Sequence, residues 1–313
     1  MSEKTKIASL SISAEITLNM HSLNNEGGEG NQIITRQVTV VDDKKEPHTV
    51  NAISGDMFKH IHAGHQANYC VENALKLSEK AKLLSPDRIS ADELNKVVKE
   101  KSQAGVQDGI ISTCTITDTH GVLMVDDVKG IKNTPRKSLV EFGWTIGKPT
   151  VSDTETHFHM RGATQDSPNP TPFNRPTNHG VYAFICSLDL YKIGFNEFKR
   201  EYPIEESERL ERYKSVMMGL LNSVLNPKGA MTSTQKPHIT NFAGVITISE
   251  SMTPAPTVSP LNDTYDTQIL KITENLNKID KKAKLQCLSF NSMDEFTEKM
   301  ADLINEYEPY RIS

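Results

Sequence analysis

The sequence predicts an α+β fold from three patterns: period-two alternation at Ile7–Ile16, helical spacing in two long stretches, and a nearly continuous apolar run from Gly180 to Leu190. Ile7–Ile16 alternates apolar with small polar residues, which is the signature of a half-buried first strand. Asn24–Asn31 holds three glycines and no large apolar residue and reads as a loop, after which Ile33–Val41 resumes strand character. Ser54 precedes Met57, Phe58, Ile61, Ala67, Val71, Ala74, Leu75 and Leu77, so it is the predicted N-cap of a long helix running to about Leu84.

After Pro86, Ser90-Ala91-Asp92-Glu93 is a capping-box pattern that opens a short charged helix ending near Gly105. Ile110–Ile116 and Gly121–Val125 read as strands, and Leu139–Ile146, with the only tryptophan at Trp144, as another apolar segment. Thr150–Asn178, with Pro149 at its flank and Pro168, Pro170, Pro172 and Pro176 within, has little apolar content and reads as a protruding loop or ribbon. Glu205–Leu225 is a second long helix and His238–Ser249 a strand. Met252–Pro260 is a proline-rich connector, and helices at Asp266–Ile279 and Ser292–Tyr307 flank a strand at Leu285–Phe290. The principal elements follow the order β-α-β-β-α-β, a ferredoxin-like or RRM-like arrangement with long insertions.

The chain has 313 residues, 36% hydrophobic and 24% charged, enough for one large domain or two ordinary ones. No apolar stretch reaches the roughly 20 residues of a membrane span, and MSEKTK leads into a strand pattern, so a soluble, cytoplasmic protein with no membrane partner is expected. Cys70, Cys114, Cys186 and Cys287 are widely spaced and read as buried small hydrophobes instead of a disulfide or zinc framework. The formal charge is −5, yet Asn291–Glu308 alone carries six acids against one base, which equals the whole imbalance. Asn226–His238 holds Lys228, Lys236 and His238 with no acid, leaving a local anion-binding surface.

His60, His62 and His65, with His157 and His159, raise the alternative of a metal-dependent nuclease. On a helix His60 and His62 point about 200° apart, and no H-E-x-x-H or acidic ligand accompanies them. No metal or cofactor is expected. Lys59 and His60 instead lie in the first turns of a helix whose N-terminal amides attract anions. The Pro227–Pro237 loop lacks the G-x-x-x-x-G-K-[ST] order of a P-loop, and Asp42-Asp43 and Asp126-Asp127 read as charged loops. No nucleophile elbow or Cys–His setting occurs, and no catalytic residue is assigned.

Ala14-Glu15-Ile16-Thr17-Leu18-Asn19-Met20, then Thr35-Arg36-Gln37-Val38-Thr39-Val40-Val41, then Val50 to His60 resemble the DevR-like Cas-seven family, the backbone subunits of type I CRISPR Cascade complexes. The most specific element is A-I-S-G-x-x-x-K/R-H at Ala52–His60; Val140–Trp144 and Gly229–Lys236 fit the same family. The resemblance spans Ile7 to about Ser249 and is nearest the I-B or I-A branch. It implies an RRM-like palm over residues 1–249 carrying a finger at about 85–147 and a thumb at about 150–179, with 250–313 as a C-terminal extension packed on the palm. It further implies a non-catalytic, RNA-binding subunit that stacks with further copies of itself along one guide RNA, beside other Cascade subunits and the target DNA strand paired to the guide. The residues assigned to RNA on this basis are Asn19, Arg36, Ser54, Lys59, His60, Lys228, Gly229, Thr232, Thr234 and Lys236, with Phe158, Met160 and Arg161 on the thumb. Among the acids weighed against the RNA-cleaving type III relatives, Asp56, Asp153 and Asp166, none matches a catalytic motif. No RNP aromatic pattern is visible, so backbone contacts and shape are expected to dominate.

Overall fold

The computed structural model describes residues 4–42, 44–163 and 169–312; Asp43, Asp166 and Pro168 lie outside them. The chain begins with β1 (Thr5–Ile7) and β2 (Ser9–His21), whose alternation has a partner on each face. Leu10, Ile12, Ala14, Ile16 and Leu18 point into the main core. The small polar residues between them are also buried, because the 251–263 connector crosses that face. Ser11 Oγ donates to the Pro256 carbonyl (2.8 Å), and Ser9 and Ser13 accept the Ala255 and Val258 amides (3.1 and 3.3 Å). A larger side chain at those positions would exclude the connector.

The predicted Asn24–Asn31 loop is instead a hairpin of β3 (Asn25–Glu29) and β4 (Gln32–Thr35), made possible by Gly27 and Gly30 at φ 142° and 57°. β5 (Gln37–Val41) and β6 (Pro47–Ile53) follow, and then α1 (Gly55–Glu72). Ser54 caps α1 as predicted, but the helix stops well short of Leu84. Ala74 turns left-handed (φ 54°) and the Leu75 amide reaches back to the Cys70 carbonyl (2.9 Å), a C-terminal motif usually signalled by glycine. After α2 (Glu79–Lys82), the Ser90–Glu93 capping box opens α3 (Ala91–Val97), which ends before Gly105. The predicted strand at Ile110–Ile116 is helical: α4 (Gln103–Thr113) and α5 (Thr115–His120) bury Val106, Ile110, Cys114 and Ile116 against Leu94 and Val98 in a core of their own.

β7 (Val122–Met124) and β8 (Thr134–Arg136) form a separate two-stranded sheet. β9 (Val140–Phe142), β10 (Thr145–Arg161) and β11 (Thr171–Leu188) return to the main sheet. α6 (Glu206–Leu225), β12 (His238–Ser249), α7 (Tyr265–Ile279), β13 (Leu285–Phe290), α8 (Met293–Glu306) and β14 (Tyr307–Pro309) complete the chain. The main sheet runs β13-β12-β2-β11-β10-β6-β5, with β9 also on β11. Beneath it α1, α6 and α8 contribute Phe58, Tyr213, Met217, Phe296 and Met300 to one core with Phe184, Phe242 and Phe290. β14 pairs in parallel with β1, so the last strand is tied to the first. Cys70, Cys114 and Cys186 are buried as expected, and Cys287 is half-buried.

An ionic cluster anchors the 91–136 insertion to α6. Asp118 binds Arg136 through Oδ1 (2.7 Å) and Arg212 through Oδ2 (2.8 Å), and accepts the Gly194 amide (3.0 Å), with all three charged side chains fully buried. The remaining Arg136 donors reach the Phe195 and Lys192 carbonyls, both at 2.7 Å. No helix among the described residues is long and apolar enough to cross a membrane.

Candidate nucleic-acid interface

Three elements meet around the end of β2 and the start of α1. Ser54 is buried: its hydroxyl accepts the Met57 amide (3.2 Å) and its own amide donates to Asn24 Oδ1 (2.7 Å). Its part is to fix the first turn of α1, and Lys59 and His60 follow on the next turn. Lys59 is half-buried and lines a cavity of about 260 Å³ with Asp56, His60, Leu84 and Arg88. Arg88 is held there by a bond from its guanidinium to the Gly121 carbonyl (2.8 Å). Burial, and then the charge of Arg88, pushes the Lys59 ammonium below its ordinary range, with Asp56 and Glu141 opposing. Lys59 makes no ion pair among the described residues, so an incoming anion relieves both the repulsion and the lost hydration.

His60 is exposed and also borders a second cavity of about 220 Å³, shared with Gly64, His65, Asn68 and Lys228. Lys228 begins the acid-free loop. At Gly229 a Cβ would lie 2.5 Å from the Leu23 carbonyl oxygen, which the Ala230 amide also approaches (3.0 Å), so glycine lets the loop pack on the end of β2. Thr232 Oγ1 donates to the Gly229 carbonyl (3.4 Å), Thr234 Oγ1 accepts from Arg175 (3.5 Å), and Gln235 Nε2 donates to the Pro176 carbonyl (3.1 Å). The loop is thus fastened to the β10–β11 ribbon. Lys228 and Lys236 remain exposed with no ion pair among the described residues. Between loop and ribbon opens a cleft of about 610 Å³ lined by Met20, His157, His159, Thr177, Lys236 and His238. Asn19, half-buried, is the strand partner of His238 at its edge.

The proline-rich segment is a two-stranded antiparallel ribbon, in register from Ser152–Gly180 to Arg161–Thr171. Prolines are tolerated because neither long edge of its distal half carries a continuous third strand. Its root is held by neutral polar groups. The Leu23 amide points at His21 Nδ1 (3.5 Å), which leaves the proton on Nε2 to donate to Tyr182 Oη (2.9 Å), and Tyr182 donates to Asn51 Oδ1 (3.0 Å). Asn178 Nδ2 donates to the His21 carbonyl and Thr35 Oγ1 (3.1 and 3.0 Å), while Thr154 donates to Asn178 (2.8 Å). Burial, with a smaller push from His179, lowers His21 to about 3, so this network is uncharged. Farther out, His159 stacks on Phe173 and Arg175 covers the same ring. Phe158 and Met160 alternate with His159 and are 64% and 60% exposed, with Arg161 exposed beside them.

The structure therefore brings Ser54, Lys59, His60 and Lys228 to one rim, and Thr234 and Lys236 to the adjoining cleft with Asn19 at its edge; Gly229 and Thr232 lie in the loop outside its lining, and Phe158, Met160 and Arg161 lie out along the ribbon. Arg36 lines none of these cavities; it is paired with Glu26 (2.9 Å) and stacked over Trp144. Sequence reasoning missed Arg88 and Met20. Only the fold brings them there, Arg88 to the Lys59 cavity and Met20 to the cleft beside His157 and Lys236, and both sit in left-handed backbone (φ 55° and 54°).

The histidines at 60, 62, 65, 157 and 159 form no group of three possible metal ligands among the described residues. His62 is buried between His120 (3.0 Å) and the Val216 carbonyl (3.0 Å), His65 binds the Asn226 carbonyl (2.9 Å), and His157 binds Thr177 (2.7 Å). Among the described residues the single group of three possible ligands within metal-binding distance is Asp42, Glu46 and His48, a turn in which Asp42 accepts the Lys44 and Glu46 amides and pairs with His48.

Comparison with known proteins gives a consistent result. The model of the CRISPR-associated negative auto-regulator DevR/Csa2 family matches residues 12–268. The CRISPR-associated protein Cas7/Cst2/DevR of Methanocaldococcus jannaschii is 28% identical over 296 residues, 86% of this chain and 90% of that protein. A chain of a solved CRISPR RNA-guided surveillance complex, pre-nicking, shares the fold at a TM-score of 0.50 and 13% identity, covering 88% of this chain and 90% of that one.

Proposed function

The chain belongs to the DevR/Csa2 family, and from that premise we propose that it is the guide-RNA-binding backbone subunit of a type I Cascade surveillance complex. Several copies line one guide RNA, and the assembly with other Cascade subunits presents the guide to a target DNA strand in the cytoplasm. The observation that carries this reading is the run of basic side chains without ion-pair partners among the described residues, Arg88, Lys59, His60, Lys228 and Lys236, leading to the cleft under a projecting ribbon. Such a track suits a sugar-phosphate backbone and reads no sequence, which base pairing to the guide supplies. The sheet order β12-β2-β11-β9, with α1 and α6 on one face, supports the RRM-like palm. The separately cored helices at about 85–147 fit the finger, and the ribbon at about 150–179 fits the thumb, with Phe158 and Met160 as apolar contacts across to the next copy. Residues 250–313 complete the palm's edge. The subunit holds RNA without cutting it: the dispersed histidines give the metal-dependent nuclease alternative no support.

The deciding experiment purifies the protein from cells expressing the remaining subunits and a guide locus. Short RNA of uniform length is expected to copurify; protein free of RNA, or carrying RNA of random length, overturns the reading. Replacing Asp153–Asn178 by a short glycine linker is expected to leave a folded subunit that no longer forms RNA-length-dependent oligomers on size-exclusion chromatography.

A further inference from the structure

Trp144, the single tryptophan of the chain, is 42% exposed. It is not a stray surface hydrophobe, because the Arg36 guanidinium lies over its ring, 5.3 Å from the centroid. Arg36 in turn is neutralised by Glu26 at 2.9 Å, and its backbone is fixed, its carbonyl accepting the Ala52 amide (3.0 Å) and Asn51 Nδ2 (2.8 Å). The arginine is therefore compensated as a charge but remains as a flat group that orients the indole. Such a pair offers a preformed π surface instead of a phosphate ligand.

Its location links it to the RNA track. Thr145 is the strand partner of Ile53, and the Phe142 carbonyl closes on Gly55, so Trp144 flanks the entry to α1. Glu141, three residues before Trp144, is among the charges that act on the Lys59 ammonium. The indole thus stands at the strand end that leads into α1, the helix that carries Lys59 and His60.

Resting on the proposed RNA-binding function, we propose that Trp144, held by Arg36, stacks a base of the bound guide. Stacking on an aromatic face is sequence-tolerant, since every base has a π surface, and it adds an interaction independent of ionic strength to a track otherwise made of cations.

Intrinsic fluorescence reports this residue alone. Mixed-sequence single-stranded RNA is expected to quench the emission saturably, whereas an abasic ribose-phosphate oligomer of the same length binds more weakly and leaves it unquenched. Trp144→Ala should weaken RNA binding roughly tenfold with an unchanged salt slope, and Trp144→Phe should recover most of the affinity. Binding is followed in parallel by anisotropy of labelled RNA, and folding of each variant by thermal melting. Tight RNA binding with unquenched emission, or a Trp144→Ala variant of parental affinity, overturns the stacking role and leaves the proposed function standing. Absence of RNA binding by anisotropy overturns both. If Trp144→Ala binds RNA normally but loses self-association, the indole is a protein contact and the proposal fails.

Discussion

Arg136 and Arg212 at the root of the insertion can be set against Lys59, Lys228 and Lys236 on the rim of α1 and the 227–237 loop. The two arginines are shut off from water, and Asp118, Glu208 and backbone carbonyls return nearly every interaction they gave up. The three lysines keep some or all of their hydration and form no ion pair among the described residues. Residues of one charge thus serve two ends. Compensated and dry, they lock elements together; uncompensated and wet, they leave an attraction for something outside the chain to satisfy.

The sharpest way to break the contrast is Asp118→Ala, which strands two buried guanidiniums. A loss of about 3–5 kcal/mol is expected from denaturant unfolding, with the protein that remains folded binding RNA as the parent does. A variant of unchanged stability would mean that water or another group compensates the arginines. Buried histidines give a second handle on the interior. Burial lowers His62 to about 4 and His120 well below its usual value. The unfolded chain takes up protons on them near pH 6.5 while the native chain does not, so their stabilisation is full above about pH 6.5 and is lost as pH falls toward 4. His62 alone should contribute a slope of up to about 1.4 kcal/mol per pH unit between pH 6 and 5. His62→Gln should flatten that slope; an identical pH profile in parent and variant would rule out His62 as its source.

The rim should respond in the other observable. Lys228→Glu with Lys236→Glu is expected to reduce RNA affinity about tenfold or more at moderate salt, through repulsion added to missing attraction, while the melting temperature stays within a degree or so. Normal RNA binding by this variant would reduce the loop to a connector. Smallest is Lys59→Ala with His60→Ala, which should lower the slope of log affinity against log salt by roughly 0.7 for each phosphate that is no longer neutralised. A slope equal to the parent's removes both residues from the track.

Periodicity carried the strands and the two long helices, because each has one face committed to the same core. Where it failed, a second influence competed. Ile110–Ile116 is rich in β-branched residues and reads as a strand, yet Ser102 caps a helix by accepting the Gly105 amide, and Val106, Ile110 and Cys114 repeat every four residues. Gly109, where a Cβ would meet the Val98 side chain at 2.6 Å, lets that helix approach α3. The Ser54 cap, Lys59 and the acid-free loop were legible because local sequence fixes them. Asp118 was not: its partners lie 18 and 94 residues away, and nothing local distinguishes it from a surface acid. The pairing of Arg36 with Trp144 was hidden for the same reason, since only the folded sheet brings them together.

The acids of α8 have a consequence for how the molecule meets its ligand. Asp294, Glu298, Asp302 and Glu306 recur every fourth residue and form one stripe, and none has an ion-pair partner among the described residues. The helix ends in β14, beside β1 and the start of β2, whereas the lysine rim adjoins the far end of β2. From Ile7 to Asn19 a strand covers about 40 Å. The stripe starts near the level of Ala14, where β13 ends, and runs away from the rim to β14, so the subunit has an electric polarity along β2. A polyanion is turned away from one end and drawn to the other before the two molecules touch, so a chain of net charge −5 can still capture RNA, and in one orientation.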